Sequence, residues 1–593
     1  MIHRKSETRL CRSALLLVCA SLLLMCVACR RDAELPVSTP AVTESKTKTE
    51  ARDRYFDDVT DRVGIDFVHV AGGKPYFVPR SIGSGVALGD FNNDDLLDIY
   101  LIQNGGPDSE ARNVMFQQRP DNTFVRCPSG FGADVAGFGM GAAAGDVNND
   151  GKLDLAVSEF GAIRLFINVT VDSEIKFVES TSAANLANSN WGTSLAFFDY
   201  DRDGWLDLVV ANYLDYDPSR ICSAASGRED FCGPQSFDAS FTRLFHNEGI
   251  QAGASAPRFK DVTATSGFGS KTGSGLGVLC ADFNGDHWPD VFVANDGNPN
   301  TLWINQGDGT FQEKATRYGV AYNSVGEAEA DMGVAFGDVN GDQRMDLFVT
   351  HRAVETHTLW ASHGSEIFVD QTASSGITNS QWRGTGFGAA FGDFDNDGDL
   401  DLTFVNGRVL RAASHADDSE SPVLFWDDYA QQDQLFVNDA GKFVDVSNDC
   451  GAISGDCKVS RGLACGDLNN DGRLDLVVTT IEGRAKILFG RNESESNWLS
   501  VRVMAGQLNR DAMGAVVRLT DKNGGVQVRL ASPNYSFLSS NDLRVHFGLG
   551  DCDSFQKIEV TWLDGTIESF VGGKSNQFLT LTRGTGGIAD DAN

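Results

Sequence analysis

The sequence predicts an all-β chain, a seven-bladed β-propeller with a C-terminal β-sandwich domain. Three observations carry that expectation. An Asp-rich nonamer recurs seven times along the chain. Each copy lies between a run of small residues and a run of apolar ones, at a spacing that holds four short strands. A lone copy of the last strand of the repeat precedes the first unit, where a closed ring would need it.

The chain has 593 residues, too many for one ordinary core. Hydrophobic residues at 41% and aromatics at 10% suit a folded protein rather than a disordered one. The 49 basic against 82 acidic residues give a net charge of −33, which argues against a nucleic-acid partner. Arg4, Lys5, Arg9 and Arg12 followed by the apolar stretch Ala14–Ala28 read as an export signal, too short to span a membrane. The stretch ends at Cys26-Val27-Ala28-Cys29, similar to a bacterial lipoprotein cleavage site with Cys29 as the lipidated residue. Residues 1–29 are therefore read as a lipoprotein-type signal peptide and 30–50 as a flexible tether. The expected location is exported, periplasmic or at the cell surface, with membrane contact only through that lipid. Cys222 with Cys232, and Cys450 with Cys457, are spaced to close short loops as disulfides in an oxidising compartment. Cys280 and Cys465 read as small buried core residues.

The nonamers begin at Asp90, Asp146, Asp199, Asp282, Asp338, Asp393 and Asp467. Position 3 is Asn92, Asn148, Asp201, Asn284, Asn340, Asp395 or Asn469, and position 5 is Asp94, Asp150, Asp203, Asp286, Asp342, Asp397 or Asp471. Position 9 is Asp98, Asp154, Asp207, Asp290, Asp346, Asp401 or Asp475. Calcium takes roughly six to eight oxygens at ~2.3–2.6 Å, and alternate carboxylate and amide side chains in a tight loop supply them. Up to seven Ca2+ ions are expected; at +2 each they carry 14 charges and move −33 to −19. Position 6 is not Gly at Asp95, His287 and Gln343, so loops 1, 4 and 5 call for another residue with positive φ.

Successive nonamers start 56, 53, 83, 56, 55 and 74 residues apart. A Gly- and Ala-rich first strand suits crowding around an axis. The seventh unit lacks a fourth strand, and Phe56-Asp57-Asp58-Val59-Thr60 supplies one. The propeller is expected over 51–496. Alternation resumes without Asp loops from Trp498-Leu499-Ser500-Val501-Arg502-Val503, so 497–585 is read as the sandwich and 586–593 as a frayed tail.

The nonamers resemble FG-GAP (VCBS-type) repeats of integrin α-subunit propellers. The stretches Gly64-Ile65-Asp66-Phe67-Val68-His69, Asn212-Tyr213-Leu214-Asp215, Phe231-Cys232-Gly233-Pro234 and Glu327-Ala328-Glu329-Ala330-Asp331-Met332-Gly333 resemble the cartilage acidic protein / ASPIC–UnbV family. So do Asn509–Ala515 and Leu543–Gly550, whereas Tyr535-Ser536-Phe537-Leu538-Ser539-Ser540 follows that family's pattern only loosely. The resemblance implies a calcium-binding extracellular protein.

The two long spacings place insertions at 212–240 and 406–433, on the face opposite the nonamer loops. Recognition commonly resides on loops of one face of a rigid scaffold. Candidate ligand-binding residues there are His69, Arg80, Asn212, Asn295, Tyr322, Glu327, Glu329, Trp382, Arg383 and Arg461. The residues five beyond each final Asp, among them Gln103, Glu159, His351 and Thr480, either circle a channel mouth or satisfy turn backbones. His351, His357 and His363 have neither HExxH nor compact chelate spacing. The expected function is a protein- or glycan-binding adhesion module without enzymatic activity. The alternative is a polysaccharide lyase or hydrolase, whose dispersed Asp, Arg and His would leave no motif.

Overall fold

The computed structural model describes residues 54–224, 227–380, 382–411, 425–491 and 495–588. The signal peptide, Cys29 and the tether lie outside those residues, as does 412–424 of the second insertion. Each of the first six nonamer units contributes four antiparallel strands to one sheet, and the seventh contributes three. In blade 1 the strands run Val86–Gly89, Asp98–Leu101, Val114–Gln118 and Phe124–Arg126, in spatial order. Blade 7 has three strands from its own unit, and the fourth is Phe56–Asp58, with Phe56 opposite Gly490 and Asp58 opposite Leu488. The N-terminal strand thus closes the ring. The first strands of neighbouring blades touch in an unbroken cycle from blade 1 through blade 7 and back.

Those first strands are the crowded ones. Gly139–Gly145, Gly192–Phe198, Gly275–Ala281, Gly386–Gly392 and Ser460–Gly466 are buried along their whole length. Second strands are equally buried, and third and fourth strands alternate as one face meets solvent. Between adjacent blades lie layers of Val, Leu and Phe, for example Ala143, Leu165, Leu195, Phe197 and Phe245 between blades 2 and 3.

The two insertions fold over one mouth of the ring. The first contains the paired segments Leu214–Asp215 with Asp238–Ala239 and Cys222–Ser223 with Glu229–Asp230. Cys222 and Cys232 form a disulfide. The insertions then meet each other: Tyr429 donates to Asp230 Oδ1 (2.7 Å), the Arg411 amide to Asp230 Oδ2 (3.0 Å), and Phe231 stacks on Trp426 (5.9 Å). Cys450 and Cys457 are not joined, contrary to the expectation from their spacing. Cys450 is buried at the start of the short helix Gly451–Ser454, and Cys457 emerges beyond it into solvent.

Residues 497–582 form two packed sheets. One holds Asn497–Met504 between Val545–Gly550 and Gln577–Thr582; the other is built on Val516–Asp521, Val526–Leu530, Ser554–Thr561 and Ile567–Lys574. Leu499, Val501, Val517, Leu519, Phe547, Ile558, Val560 and Trp562 fill the space between. Gly587–Ile588, assigned from sequence to the frayed tail, pairs with Glu568 and Ser569.

The segment between Leu530 and Val545 leaves the sandwich and enters the ring. Ser539 and Ser540 pair in parallel with Val86 and Ala87 of blade 1. Leu538 O accepts from Ala142 N of blade 2 (3.3 Å), and Leu538 N donates to Ser194 Oγ of blade 3 (3.0 Å). Ser536 exchanges backbone bonds with Val334 of blade 5 (2.6 and 3.0 Å). Its hydroxyl donates to Leu463 O of blade 7 (2.8 Å) and accepts from Ala389 N of blade 6 (3.1 Å). To face several strands at once, Ser536 (φ 81°) and Leu538 (φ 56°) take left-handed conformations. The close approach explains a glycine opposite: a Cβ on Gly85 would lie 2.5 Å from Leu538 O. The channel expected at the axis is therefore filled.

Candidate metal centres and the two faces of the ring

All seven nonamers close the same loop. The position-6 amide donates to Oδ2 of the first Asp, and the position-7 amide to Oδ1 of the fifth. Asp95 (φ 65°), His287 (φ 68°) and Gln343 (φ 67°) themselves take the positive φ that Gly takes in the other loops, so no substitute residue is recruited. The ninth Asp is a tie as well as a candidate ligand. Its Oδ2 accepts from the position-2 amide and its Oδ1 from an amide of the third strand, as in Asp98 with Phe91 (3.1 Å) and Gln118 (2.9 Å). The same pair of bonds recurs in every blade.

This geometry gathers carboxylates where water is scarce. Oxygens of Asp393, Asp395 and Asp401 lie within 4.8 Å of one another, as do those of Asp199, Asp201 and Asp203. Burial, then the neighbouring carboxylates, raise the ninth-position acids: Asp346 to about 7, Asp207 to about 8, and Asp98, Asp154, Asp290, Asp401 and Asp475 well above the usual range. Burial lifts Asp393 to about 8 and Asp467 to about 7 despite Arg529 and Arg544 nearby. At ligand positions, Asn92 Oδ1 and Asp199 Oδ1 are buried without a hydrogen-bond partner. Oxygen donors left open among crowded carboxylates fit a hard divalent cation.

The face carrying these loops is covered by the sandwich. Arg510 binds Asp199 Oδ2 (3.1 Å) and reaches Gly204 O in loop 3. Arg529 reaches Gly398 O in loop 6, and Arg544 donates to Asp467 O (2.7 Å) and Asn470 Oδ1 (2.7 Å) in loop 7. His546 lies 3.1 Å from Gly472 O, and Arg518 pairs with Gln343 of loop 5. A crevice of about 380 Å³ remains beside loop 1, lined by Asp90, Asp95, Arg502, Asp542 and Arg544. Sequence reasoning missed these arginines; only Arg510 and Arg544 carried a signal, by standing in the family-like stretches Asn509–Ala515 and Leu543–Gly550.

Four of the candidate ligand-binding residues are corrected to internal supports. Asn212 is buried, and its amide donates to Phe241 O (2.8 Å); Asn295 likewise donates to Pro299 O (3.0 Å). His69 is buried, held near a pKa of about 3 by desolvation, and accepts from Glu482 N. Arg461 is fully buried, donates to Ser81 O (2.7 Å), Gly407 O (3.1 Å) and Ser460 O (2.8 Å), and covers the Phe387 ring at 3.8 Å. Phe387 in turn meets Phe537 edge-on, so Arg461 completes the filling of the axis. Among the strand-end positions, His351 is buried, and it is the His357 ring that satisfies the turn there, its Nδ1 accepting from the His351 amide (2.8 Å). Arg80 pairs with Glu482 (3.2 Å) under Phe425 and Trp426. Tyr322, Glu327 and Arg383 are exposed, and Glu329 and Trp382 are partly so.

Comparison with known proteins agrees with this architecture. An FG-GAP-like repeat model matches residues 90–157, 146–210 and 282–349, each match opening on the first Asp of a nonamer. An ASPIC and UnbV model matches 505–587. Human cartilage acidic protein 1 is 26% identical over 527 residues, covering 85% of this chain and 72% of that protein. The Xenopus tropicalis protein of the same name is 26% identical over 539 residues, covering 85% and 74%. A T-cell immunomodulatory protein homolog of Plasmodium yoelii yoelii is 21% identical over 398 residues, covering 60% and 54%. The chain is thus an all-β protein carrying FG-GAP-like repeats and a C-terminal ASPIC and UnbV domain, similar over most of its length to cartilage acidic protein 1.

Proposed function

We propose that this chain is an exported, calcium-stabilised binding module that recognises a protein or glycan through the face carrying the insertions. One observation carries the reading. The nonamer-loop face is occupied by the chain's own sandwich, whereas the insertion face presents apolar side chains to solvent: Val68 (49% exposed), Leu410 (47%), Ile221 (74%), Val325 (77%) and Val354 (83%). These come from five separate connections of one face, the kind of loops on a rigid scaffold where recognition commonly resides. Tyr322 and Glu327 stand in the same connection as Val325, and Trp382 and Arg383 in a sixth connection of that face.

The Cys222–Cys232 disulfide supports an oxidising, exported setting. The buried carboxylate loops support calcium as the structural ion, where it would neutralise charge that burial otherwise penalises. In this reading Asp90, Asn92, Asp94 and their counterparts hold the ion, and the ninth Asp transmits its grip to the third strand.

The experiment is a screen of glycan and extracellular-protein arrays, repeated with Val325→Asp and Val354→Asp. Both positions are exposed, so folding should be unchanged, and binding should weaken at least about tenfold if they line the contact. Binding indifferent to both changes would move the site elsewhere. Release of new reducing or unsaturated ends from a bound polysaccharide would make the chain an enzyme instead.

A further inference from the structure

Loop 3 differs from the other six in what the third strand brings to it. One residue before the amide that ties the ninth Asp, the other blades carry Gln117, Ile167, Ile304, Ala361, Val437 and Phe489; blade 3 carries His246. Its Nδ1 lies 3.1 Å from Asp207 Oδ1 and 3.4 Å from Asp201 Oδ2. Ligand atoms of Asp201, Asp207 and His246 all fall within 4.8 Å of one another. Two ligands bound at about 2.1 Å to a common ion stand about 3.0 Å apart at right angles and about 3.4 Å apart at the tetrahedral angle, so these separations suit neighbouring ligands of one ion. The Tyr200 ring packs against the imidazole (centroids 5.9 Å apart) and fixes its plane.

A second, independent observation points to a ligand. Asp199, 5% exposed, gives its Oδ2 to Arg510 and to Gly204 N, yet its Oδ1 is buried with no partner. Asp199 forms a second trio with Asp201 and Asp203 that shares Asp201 with the first, so this open oxygen lies in the same loop, beside the His246 group. Calcium prefers an all-oxygen shell, whereas imidazole with carboxylates suits a first-row transition ion.

We propose that loop 3 is an imidazole–carboxylate site for a divalent transition ion of the Zn2+ class, with His246, Asp201 and Asp207 as ligands. The inference rests on the nonamers being cation loops, but not on calcium filling the other six. Asp207 keeps its amide bonds from Tyr200 (3.1 Å) and Asn247 (2.8 Å), which orient it as a ligand without protonating it. The competing arrangement has no ion, with His246 itself serving as the cation beside Asp207.

The test uses the untagged chain from Asp53 onward, stripped with chelator, then dialysed against Zn2+ in millimolar calcium and analysed for both metals. Co2+ substituted for Zn2+ reports imidazole ligation through its visible absorption. His246→Ile copies the residue of blades 2 and 4 and so should fold; His246→Gln is the second variant. The expected result is one Zn2+ retained against calcium, a Co2+ spectrum that both variants alter, and Zn2+ affinity weakened at least about tenfold while calcium uptake is unchanged. Calcium bound without retained Zn2+, or Zn2+ uptake indifferent to both variants, would overturn the proposal and leave the calcium reading standing. Uptake of neither metal would overturn both.

Discussion

Phe537→Ala tests whether the segment at the axis holds the ring and the sandwich together. Phe537 is fully buried, packs edge-on against Phe387 at 5.0 Å, and belongs to the cluster that includes Met140, Leu276, Met332 and Leu463 from the inner strands. Truncation removes a whole ring from a site that cannot collapse, because the surrounding backbones are fixed in their own sheets. A buried Phe→Ala change of this kind costs about 3–5 kcal/mol, at least about a hundredfold in the unfolding equilibrium. The assay is urea unfolding followed by tryptophan fluorescence and circular dichroism together. The variant should shift its midpoint downward in both probes, and protease cleavage near 491–497 should appear at lower urea. A midpoint within the error of the unmodified protein would refute the argument that the segment carries the axis.

Chelation should destabilise the protein sharply. At about 2 mM calcium and a Kd of about 10⁻⁴–10⁻³ M each calcium loop contributes about 0.7–1.8 kcal/mol, so the six other than loop 3 sum to about 4–11 kcal/mol; a melt indifferent to EDTA rules this out. In EDTA, Asp207 and Asp393 (each about 8) and Asp467 (about 7) have folded pKa values above the unfolded one, so the native state holds protons that the unfolded state has released. Stability is then fullest below the unfolded pKa and is lost as pH rises from about 4 to 8; calcium, which needs the carboxylates ionised, should reverse that trend in a melting series. Arg461→Met leaves the carbonyls of Ser81, Gly407 and Ser460 without their donor and should cost about 3 kcal/mol or more by urea titration. Reduction of Cys222–Cys232 should loosen the first insertion, so that trypsin cuts faster after the already exposed Arg220 and Arg228 while the melt of the ring stays in place.

The two faces of the ring have been given different tasks by the way the chain is threaded. Connections between first and second strands are short and uniform, so they can be bound by one rigid domain. Connections on the other face vary in length, and the two longest meet over the mouth through Asp230, Phe231, Trp426 and Tyr429.

Local chemistry was legible in the sequence because it depends on residues a few positions apart. The nonamer spacing determined the loop, the small-residue runs determined the inner strands, and the spare Phe56–Asp58 strand determined how the ring closes. The residues five beyond each final Asp could not be assigned that way. Whether Asn212 or Arg461 faces solvent or a neighbouring turn depends on backbone carbonyls that only folding brings near. The segment Tyr535–Ser540 has no periodicity because its partners are single positions on six different strands, between Val86 and Leu463, and not a repeating face. The domain that covers the nonamer loops was illegible for the same reason. Arg510, Arg529 and Arg544 reach them from more than a hundred residues away for the first two, and from about seventy for the third, once the sandwich docks. Sequence set how each blade closes its nonamer loop, and tertiary structure decided which face of the ring the sandwich covers, because coverage is a property of surfaces that meet only after every blade has formed.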